Sequence, residues 1–462
     1  MGLKRFVGDR AFYRKLLAIV MPILVQNVIT NFVSLLDNIM VGQVGTEPMS
    51  GVAIVNQLIF VFNLCVFGGL AGAGIMTAQY YGHGDHRGVA DSFRAKLYIA
   101  AISAGLFLGV FHFGGELLIR QFIHEGGEAL DLAATLRHAK AYLRIMLIQI
   151  PPFALQMVYA STLRETGETM LPMKAGITAV LVNLVLNYIL IFGKLGAPVL
   201  GVEGAAIATV IARFVECAII VTWTHRHREK NLFLETAYTR WGIPAQLLKK
   251  IVVMGLPLLV NELLWSSGQT FLNQCYSLRG LEVVSAVNIS STVSNLFFCA
   301  FISMGNATSI IVGQLLGAGE LERAVDEDTK LIAFSVALCA AAGVVLALIS
   351  PLVPRIYNTT DTVRRLASQL LLVVAVSMPL HAFSNACYFT IRSGGKVMVT
   401  LIFDSFFLWL LVLPLAFVLS RLTAMPILPM YIVLTLADQS KCVLGYYLVK
   451  KRSWVRNLVA NE

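Results

Sequence analysis

Three acidic side chains stand alone inside long apolar stretches, and they are the residues best placed to do chemistry. They are Asp37, Glu262 and Asp404. An ionisable group in the hydrocarbon core of a bilayer costs about 2.5–3.5 kcal/mol or more, so such a group usually serves a function. These three carboxylates are therefore candidates for binding a cation.

Two further sets of charges within apolar stretches have an opposite charge nearby. Asp438 and Lys441 are three residues apart, and so are Arg213 and Glu216. This spacing places both members of a pair on one face of a helix. We expect both pairs to be neutralised and structural.

Polar side chains gather at the predicted depth of Asp37. With a rise of about 1.5 Å per residue, Asp37 lies about 9 Å below the outer end of its helix, and Thr209 reaches a similar level. Asn187 lies about 20 Å from the cytoplasmic end of another helix, and Asn183 shares its face one turn away. A carboxylate among amides and a hydroxyl is suited to bind a proton or Na⁺. The alternative is an interfacial Asp37 with asparagines that only join helices.

Glu262 is the deepest unpaired acid of the second half, about 18 Å beyond Lys250 at the start of its helix. It is a second candidate for binding a cation or the charge of a substrate. Asp404, eight residues beyond Lys396, could join it. A hydrated position near the cytoplasmic end of the helix is an equal alternative for Asp404.

Aromatic and methionine side chains could line an adaptable apolar cavity for organic cations. Packing or contact with lipid explains any single one of them at least as well. The candidates are Phe153, Met157, Trp265, Tyr388 and Trp409, with Tyr159 as a further aromatic residue.

The elements that carry these residues are membrane-spanning helices. The chain has 462 residues, of which 57% are hydrophobic and 13% charged, whereas soluble domains carry about 25% charged residues. Stretches of about 20 apolar residues recur along the whole sequence. We predict spans at 16–42, 51–80, 95–114, 138–163, 170–193, 203–224, 250–277, 286–316, 329–352, 364–392, 396–419 and 424–449.

The net charge of +10 reflects membrane topology, because Lys and Arg lie in short loops between apolar runs. Nucleic acid is therefore not an expected partner. Placing the N-terminus inside puts about two thirds of the Lys and Arg residues on the cytoplasmic side. We expect a multi-pass protein of the inner or plasma membrane with both termini in the cytoplasm.

The two halves of the chain are related in sequence. A shift of 235 residues aligns Pro22 with Pro257 and Asn38 with Asn273, without a gap. The same shift pairs Gln79, Gly82 and Gly84 with Gln314, Gly317 and Gly319. Chance similarity between apolar helices would not pair proline, glutamine and glycine at constant spacing. We read both Gly-Xaa-Gly sequences as turns that end helices.

The repeat predicts an all-α polytopic membrane protein of twelve helices in two six-helix bundles. Six spans per half make the repeat parallel, with a pseudo-two-fold axis along the membrane normal. We predict an N-terminal lobe at 1–224, a cytoplasmic linker at 225–249, a C-terminal lobe at 250–449 and a cytoplasmic tail at 450–462. Two such bundles suit alternating access.

Several of these motifs together resemble the multidrug and toxic compound extrusion (MATE) family. They are Ser-Leu-Leu-Asp37-Asn-Ile-Met-Val-Gly42, Gly82-His-Gly84-Asp, Asn183 with Asn187, and Gly204-Ala-Ala-Ile-Ala-Thr209. The resemblance implies export of often cationic compounds by antiport with H⁺ or Na⁺. It implies that Asp37 is a coupling-ion residue with Asn183 and Thr209 as neighbours, and that Glu262 is the acid of the second lobe. One branch of the family has an aspartate in place of Asn187, so a relay of two carboxylates is not expected here.

Other classes of protein fit the sequence less well. A flippase for lipid-linked intermediates, or a metabolite exporter of the same superfamily, is the alternative, although the clustered arginines that would suit a flippase are lacking. The sequence has no HExxH motif and no GxxxxGK[ST] loop, so we expect neither a membrane enzyme nor an ATP-driven pump. We expect no catalytic residues, no metal site, no cofactor other than the coupling ion, and a monomer.

Overall fold

The computed structural model describes residues 6–122, 132–357 and 359–460, and all regular secondary structure in these ranges is helical. The helices of the first half are α1 (Arg10–Gly42), α2 (Thr46–His83), α3 (His86–Phe122), α4 (Leu132–Met146), α5 (Ile150–Glu165), α6 (Met170–Phe192), α7 (Gly201–Arg226) and the short α8 (Leu234–Ala237). Those of the second half are α9 (Ala245–Ser277), α10 (Leu281–Gly317), α11 (Leu321–Ile349), α12 (Asp361–Ser393), α13 (Val397–Leu401), α14 (Leu413–Leu422), α15 (Ile427–Gln439) and α16 (Lys441–Lys450).

All twelve predicted spans fall on helices of the described ranges. Eleven continuous helical segments in those ranges are long and apolar enough to cross a membrane. The one remaining predicted span, 250–277, lies in α9. This helix has 33 residues but carries Asn261, Glu262 and a Ser-Ser-Gly-Gln sequence at its centre. The all-α polytopic fold is confirmed, and α9 interrupts its apolar surface with polar residues at its centre.

Two of the spans contain a local change of helical geometry. A 3₁₀ turn at Leu147–Gln149 joins α4 to α5, where Pro151 and Pro152 supply no backbone N–H. Two π-helical turns, Ile402–Phe406 and Leu408–Val412, lie between α13 and α14. Such turns occur often at functional sites, and the first of these contains Asp404.

The Gly-Xaa-Gly turns end α2 and α10 in the same way. Gly84 has φ +80° and Gly319 has φ +78°, in the left-handed region that glycine adopts without strain. The N–H of Asp85 donates to the carbonyl of Tyr80 at 2.9 Å, and in the second half the N–H of Glu320 donates to that of Leu315 at 3.0 Å. These bonds satisfy carbonyls at the helix ends. The predicted helix-terminating turns are confirmed.

The chain forms two compact units whose segments interleave. The N-unit comprises Val25–Thr77 and His86–Gly255, and the C-unit comprises Met1–Leu24, Ala78–Asp85 and Leu256–Glu462. These bounds differ from the predicted lobes, because the start of α1 and the end of α2 group with the second half of the chain. The division into lobes at 225–249 stays a prediction.

The segment that follows α7 packs onto the N-unit. The guanidinium of Arg94 on α3 donates to the carbonyl of Thr236 at 2.8 Å, and the hydroxyls of Tyr159 and Tyr238 are hydrogen-bonded. Burial raises the pKa of the Tyr238 hydroxyl. The polar stretch predicted as a linker is therefore attached to α3 and α5 by specific bonds.

Within the C-unit, the ends of α2 and α10 approach backbone to backbone. A methyl group on Gly82 would collide with the main chain of Gln314, and one on Gly317 would collide with that of Gln79. The two contacts are reciprocal between residues that the repeat pairs. Only glycine allows helices to approach this closely.

The C-terminal segment covers this crossing of α2 and α10. Trp454 is 1% exposed and packs in a core with residues of α1, α10 and α11. The side-chain oxygen of Gln79 accepts from the N–H of Leu458 at 2.8 Å, and Asn457 donates to the carbonyl of Gly317 at 3.1 Å. Residues 451–460 of the predicted tail therefore pack as part of the C-unit.

Candidate ion-binding sites

The N-unit brings Asp37 and Asn187 into direct contact. The Asn187 amide donates to Oδ1 of Asp37 at 2.8 Å, which joins α1 to α6. Asn187 is 1% exposed and Asn183, one turn earlier on α6, is 7% exposed. The helical period places both amides on the face of α6 that meets α1.

Asn183 connects this carboxylate to α7. Its amide lies 3.2 Å from the Thr209 hydroxyl, which itself donates to the carbonyl of Ala205 at 3.0 Å. In one orientation Asn183 donates to Thr209 and accepts from Asn187 at 3.2 Å. In the other its nitrogen donates to Oδ2 of Asp37 at 2.9 Å. The second orientation gives both carboxylate oxygens an amide donor.

Small residues on α7 set the position of Thr209. A methyl group on Gly204 would lie 2.7 Å from the carbonyl oxygen of Leu190, so α6 and α7 pack without intervening side chains. Ala205 and Ala208 continue this contact surface, with exposures of 4% and 0%. Close packing of small residues is the usual way for helices to associate in membranes.

The oxygen atoms around Asp37 could hold a small cation. Oδ1 of Asn187 is buried and has no hydrogen-bond partner among the described residues. A buried acceptor without a partner costs about 1–3 kcal/mol, which an ion or a proton-bearing ligand would offset. Carboxylate and amide oxygens are the ligands that hard cations prefer. A proton on the carboxylate is the other occupant that this arrangement can take.

Tyr142 on α4 is a neighbour that the sequence did not single out. Its hydroxyl donates to Asn56 at 3.3 Å, its side chain is 4% exposed, and it interacts electrostatically with Asp37. A tyrosine in an apolar helix looks like packing, and only the fold places it beside the acid.

The C-unit surrounds Asp404 with polar groups from four other helices. The Asn261 amide donates to Oδ2 of Asp404 at 3.2 Å and lies 3.3 Å from the Tyr388 hydroxyl. Lys441 lies 3.7 Å from Oδ1 of Asp404 and 3.0 Å from Asp438. The predicted pairing of Asp438 with Lys441 is confirmed. The expectation that Asp404 lacks a partner holds only along its own helix, because α16 supplies one.

Glu262 lies next to Asn261 on α9 and is partly buried. Within the described ranges, its carboxylate makes no hydrogen bond and no ion pair. Arg392 and Asp404 are charged neighbours of Glu262. Glu262 and Asp404 therefore interact without sharing a ligand. The second predicted pair, Arg213 with Glu216, is confirmed at 2.9 Å.

The predicted cavity residues take up separate positions. Phe153 packs against Phe62 and lies 5.3 Å below the Arg213 guanidinium. The indole of Trp409 donates to the carbonyl of Leu264 at 2.9 Å, while Trp265 is 39% exposed. Tyr388 belongs to the Asp404 cluster, and Met157 is partly buried on α5. The lining of a cavity by these five residues stays a prediction.

A cavity of about 950 Å³ lies elsewhere in the N-unit, between α3, α5 and α7. None of the five predicted residues is among the described residues that line it. Its wall is apolar and is formed by Leu108, Gly109, His112, Phe113, Leu147, Ile148, Pro151, Pro152, Leu155, Phe214, Cys217, Ala218, Val221 and Thr222. Phe113 and Ile148 are 89% and 54% exposed, as expected of side chains that face lipid.

Long apolar helices around isolated polar clusters define a polytopic membrane transporter rather than an enzyme. The sequence model of the MatE family matches residues 22–189 and again residues 257–418. The two matches begin 235 residues apart, which is the shift of the internal repeat. The chain therefore belongs to the MatE family, and the predicted resemblance is confirmed.

Relatives of similar length carry related names. The chain is 24% identical over 409 residues to the probable multidrug resistance protein NorM of Thermotoga maritima, with 88% of this chain and 86% of the relative covered. It is 23% identical over 451 residues to the probable multidrug resistance protein YoeA of Bacillus subtilis, with 97% and 96% covered. It is 27% identical over 365 residues to the multidrug resistance protein MdtK of Pectobacterium atrosepticum, with 79% and 78% covered.

Solved structures share the fold. A MATE family transporter of the MOP superfamily in an outward-facing conformation superposes with a TM-score of 0.86 at 19% identity, covering 98% of this chain and 97% of the other. The Vibrio cholerae MATE transporter VcmN in its bent form gives a TM-score of 0.83 at 19% identity, with 96% and 97% covered. The two-lobe architecture of these transporters is the fold of this chain.

Proposed function

We propose that this chain exports small, cationic and amphipathic organic molecules in exchange for H⁺ or Na⁺. The observation that supports the exchange is the Asp37 carboxylate, which contacts Asn187 and lies beside a buried amide oxygen without a partner. The names of the multidrug resistance relatives support organic molecules as substrates. The fold supports alternating access between two lobes.

The arrangement around Asp37 accounts for the exchange in physical terms. The carboxylate is carried by α1, whereas the amides and the hydroxyl are carried by α6 and α7. An ion or proton at Asp37 therefore changes the interaction between helices that are distant in sequence. A ligand shifts a conformational equilibrium only through such differential contacts. Loading from one side and release to the other would couple the ion to the substrate.

The same proposal includes the setting of the protein. We place it in the cell inner or plasma membrane as a monomer with both termini in the cytoplasm. The excess of Lys and Arg in alternate loops supports this orientation. H⁺ or Na⁺ is the only cofactor that the proposal requires.

The first test compares ion gradients directly. Purified protein in liposomes is given a fluorescent organic cation, and H⁺ and Na⁺ gradients are imposed separately. We expect one of the two gradients to drive accumulation, and Asp37→Asn to reduce it to the level of empty liposomes because the exchangeable charge is gone. Absence of a response to both gradients would favour the flippase alternative.

A matched control separates the effect of losing the Asp37 carboxylate from the effect of losing any acidic side chain. Asp361 begins α12, and its side chain is 98% exposed. Asp361→Asn makes the same chemical change and should retain gradient-driven transport. Equal transport by Asp37→Asn and Asp361→Asn would contradict the role of Asp37.

A further inference from the structure

Lys441 lies between two carboxylates of the C-unit. Its ammonium is 3.0 Å from Oδ1 of Asp438 and 3.7 Å from Oδ1 of Asp404, and its side chain is 12% exposed. The Asp404 and Asp438 side chains are 22% and 25% exposed. The positive charge of Lys441 thus interacts with both carboxylates.

The other oxygen of Asp404 is already held. Oδ2 of Asp404 accepts from the Asn261 amide at 3.2 Å. Oδ1 of Asn261 in turn accepts from the Ser405 hydroxyl at 2.6 Å. Asp404 and Ser405 lie in the π-helical turn Ile402–Phe406, which fixes this geometry on one element. Oδ1 of Asp404 therefore points to Lys441.

Asp438, the other acid beside the lysine, has a similar arrangement. Its Oδ2 accepts from the Gln439 amide at 3.0 Å. Gln439 also lies 2.9 Å from Nδ1 of His381, whose ring stacks on Phe301. Each acid thus has one oxygen that accepts from an amide and one oxygen within ion-pair distance of the ammonium.

Asp37 of the N-unit differs in this respect. Its partners are amides, and within the described residues no Lys or Arg lies within ion-pair distance of it. Resting on the proposed cation exchange, we propose that Lys441 is a permanent counter-cation that excludes Na⁺ and the charge of an organic cation from Asp404 and Asp438. Asp37 is then the exchangeable cation site, whereas Asp404 and Asp438 stay paired with Lys441 and do not load ions.

The physical basis is intramolecular competition. A tethered ammonium acts at an effective concentration of millimolar or more, and it stays when the external ion is diluted. Displacing it would leave a lysine without its partners in a poorly hydrated environment, which is costly. A free Na⁺ or an organic cation must offset both effects. The bridging geometry therefore favours Lys441.

Ion binding by variants without the Asp37 site tests the proposal. The probes are ²²Na⁺ and radiolabelled tetraphenylphosphonium, and the protein is the full chain in nanodiscs. We expect Asp37→Asn to bind both probes only weakly and a further Lys441→Met change to raise binding of one of them about tenfold or more, since two carboxylates lose their partner. Adding Asp404→Asn together with Asp438→Asn should remove the gain, and Lys441→Arg in place of Lys441→Met should not produce it.

A second comparison keeps Lys441 and so does not depend on the folding of the methionine variant. Asp37→Asn and Asp37→Asn with Asp404→Asn should bind the probes equally. A loss caused by Asp404→Asn in this background would overturn the proposal. So would a folded Asp37→Asn, Lys441→Met protein with unchanged binding. Failure of the proposed function has another signature, namely gradient-driven transport that persists in Asp37→Asn.

Discussion

At the scale of single residues, the contact between Asp37 and Asn187 is the feature that most restricts function. The amide nitrogen binds the carboxylate at 2.8 Å, and the amide oxygen is buried without a partner. One asparagine thus both orients the acid and keeps a buried oxygen without a hydrogen-bond partner. A side chain that served only to join α1 to α6 would not need that second, unsatisfied group.

Asn187→Leu should weaken the interaction with the driving ion. A hydrogen bond to a charged group contributes about 1.5–3 kcal/mol, so we expect the apparent affinity for that ion to fall about tenfold or more. The measurement is the dependence of transport in liposomes on H⁺ or Na⁺ concentration. Leucine has a similar volume, so the packing of α6 should persist.

Thr209→Val is the matched control for Asn187→Leu. Thr209 bonds Asn183 and not the carboxylate, so its loss should cost about 1 kcal/mol and change ion affinity less than tenfold. An unchanged ion dependence in Asn187→Leu would show that this asparagine only joins helices.

The sequence predicted the depth of polar residues better than their partners. Asp37, Asn183, Asn187 and Thr209 meet as expected, because depth along a straight helix follows from counting residues. The contact between Asp404 and Lys441 was not predicted, because it depends on how α13 and α16 are rotated and packed. Rotation about a helix axis leaves no local signal when the helix is apolar on most sides.

At the scale of elements, the crossing of α2 and α10 is a close contact between residues that the repeat pairs. Gly82 meets the main chain of Gln314, and Gly317 meets that of Gln79. The sequence predicted turns at these Gly-Xaa-Gly sequences, and Gly84 and Gly319 adopt them. The first glycine of each turn has a separate role in packing, which spacing alone did not reveal.

Gly82→Ala should destabilise the protein. The added methyl group has no space, and overpacking costs about 1–3 kcal/mol. The measurement is the apparent melting temperature of the purified protein in detergent, together with transport. Both should decrease.

Gly105→Ala is the control, because Gly105 lies in α3 with open space around it. There alanine should be neutral or stabilise the helix by up to about 1 kcal/mol. A melting temperature for Gly82→Ala equal to that of Gly105→Ala would contradict the close approach of α2 and α10.

At the scale of the whole molecule, the compact units do not follow the order of the chain. The apolar stretches predicted twelve spans, and residues aligned at a constant shift predicted the repeat and six spans per half. They did not predict that Ala78–Asp85 packs with the second half of the chain, or that the residues after Lys450 complete the same core. Contacts between distant segments depend on tertiary packing, which apolar composition alone does not specify.

The C-terminal segment should therefore contribute to the stability of the C-unit. Trp454 is fully buried, and its indole donates to the carbonyl of Val449 at 3.1 Å. Truncation of a buried tryptophan to alanine costs about 3–5 kcal/mol. We expect Trp454→Ala to lower the melting temperature in detergent, and removal of the residues after Lys450 to lower it at least as much.

Trp241→Ala is the matched control, since that indole is 60% exposed and its loss should change the melting temperature little. Equal melting temperatures for Trp454→Ala and Trp241→Ala would show that the segment after Lys450 does not stabilise the fold. A lower melting temperature for Trp454→Ala alone would make this segment part of the folded core that holds the ends of α2 and α10.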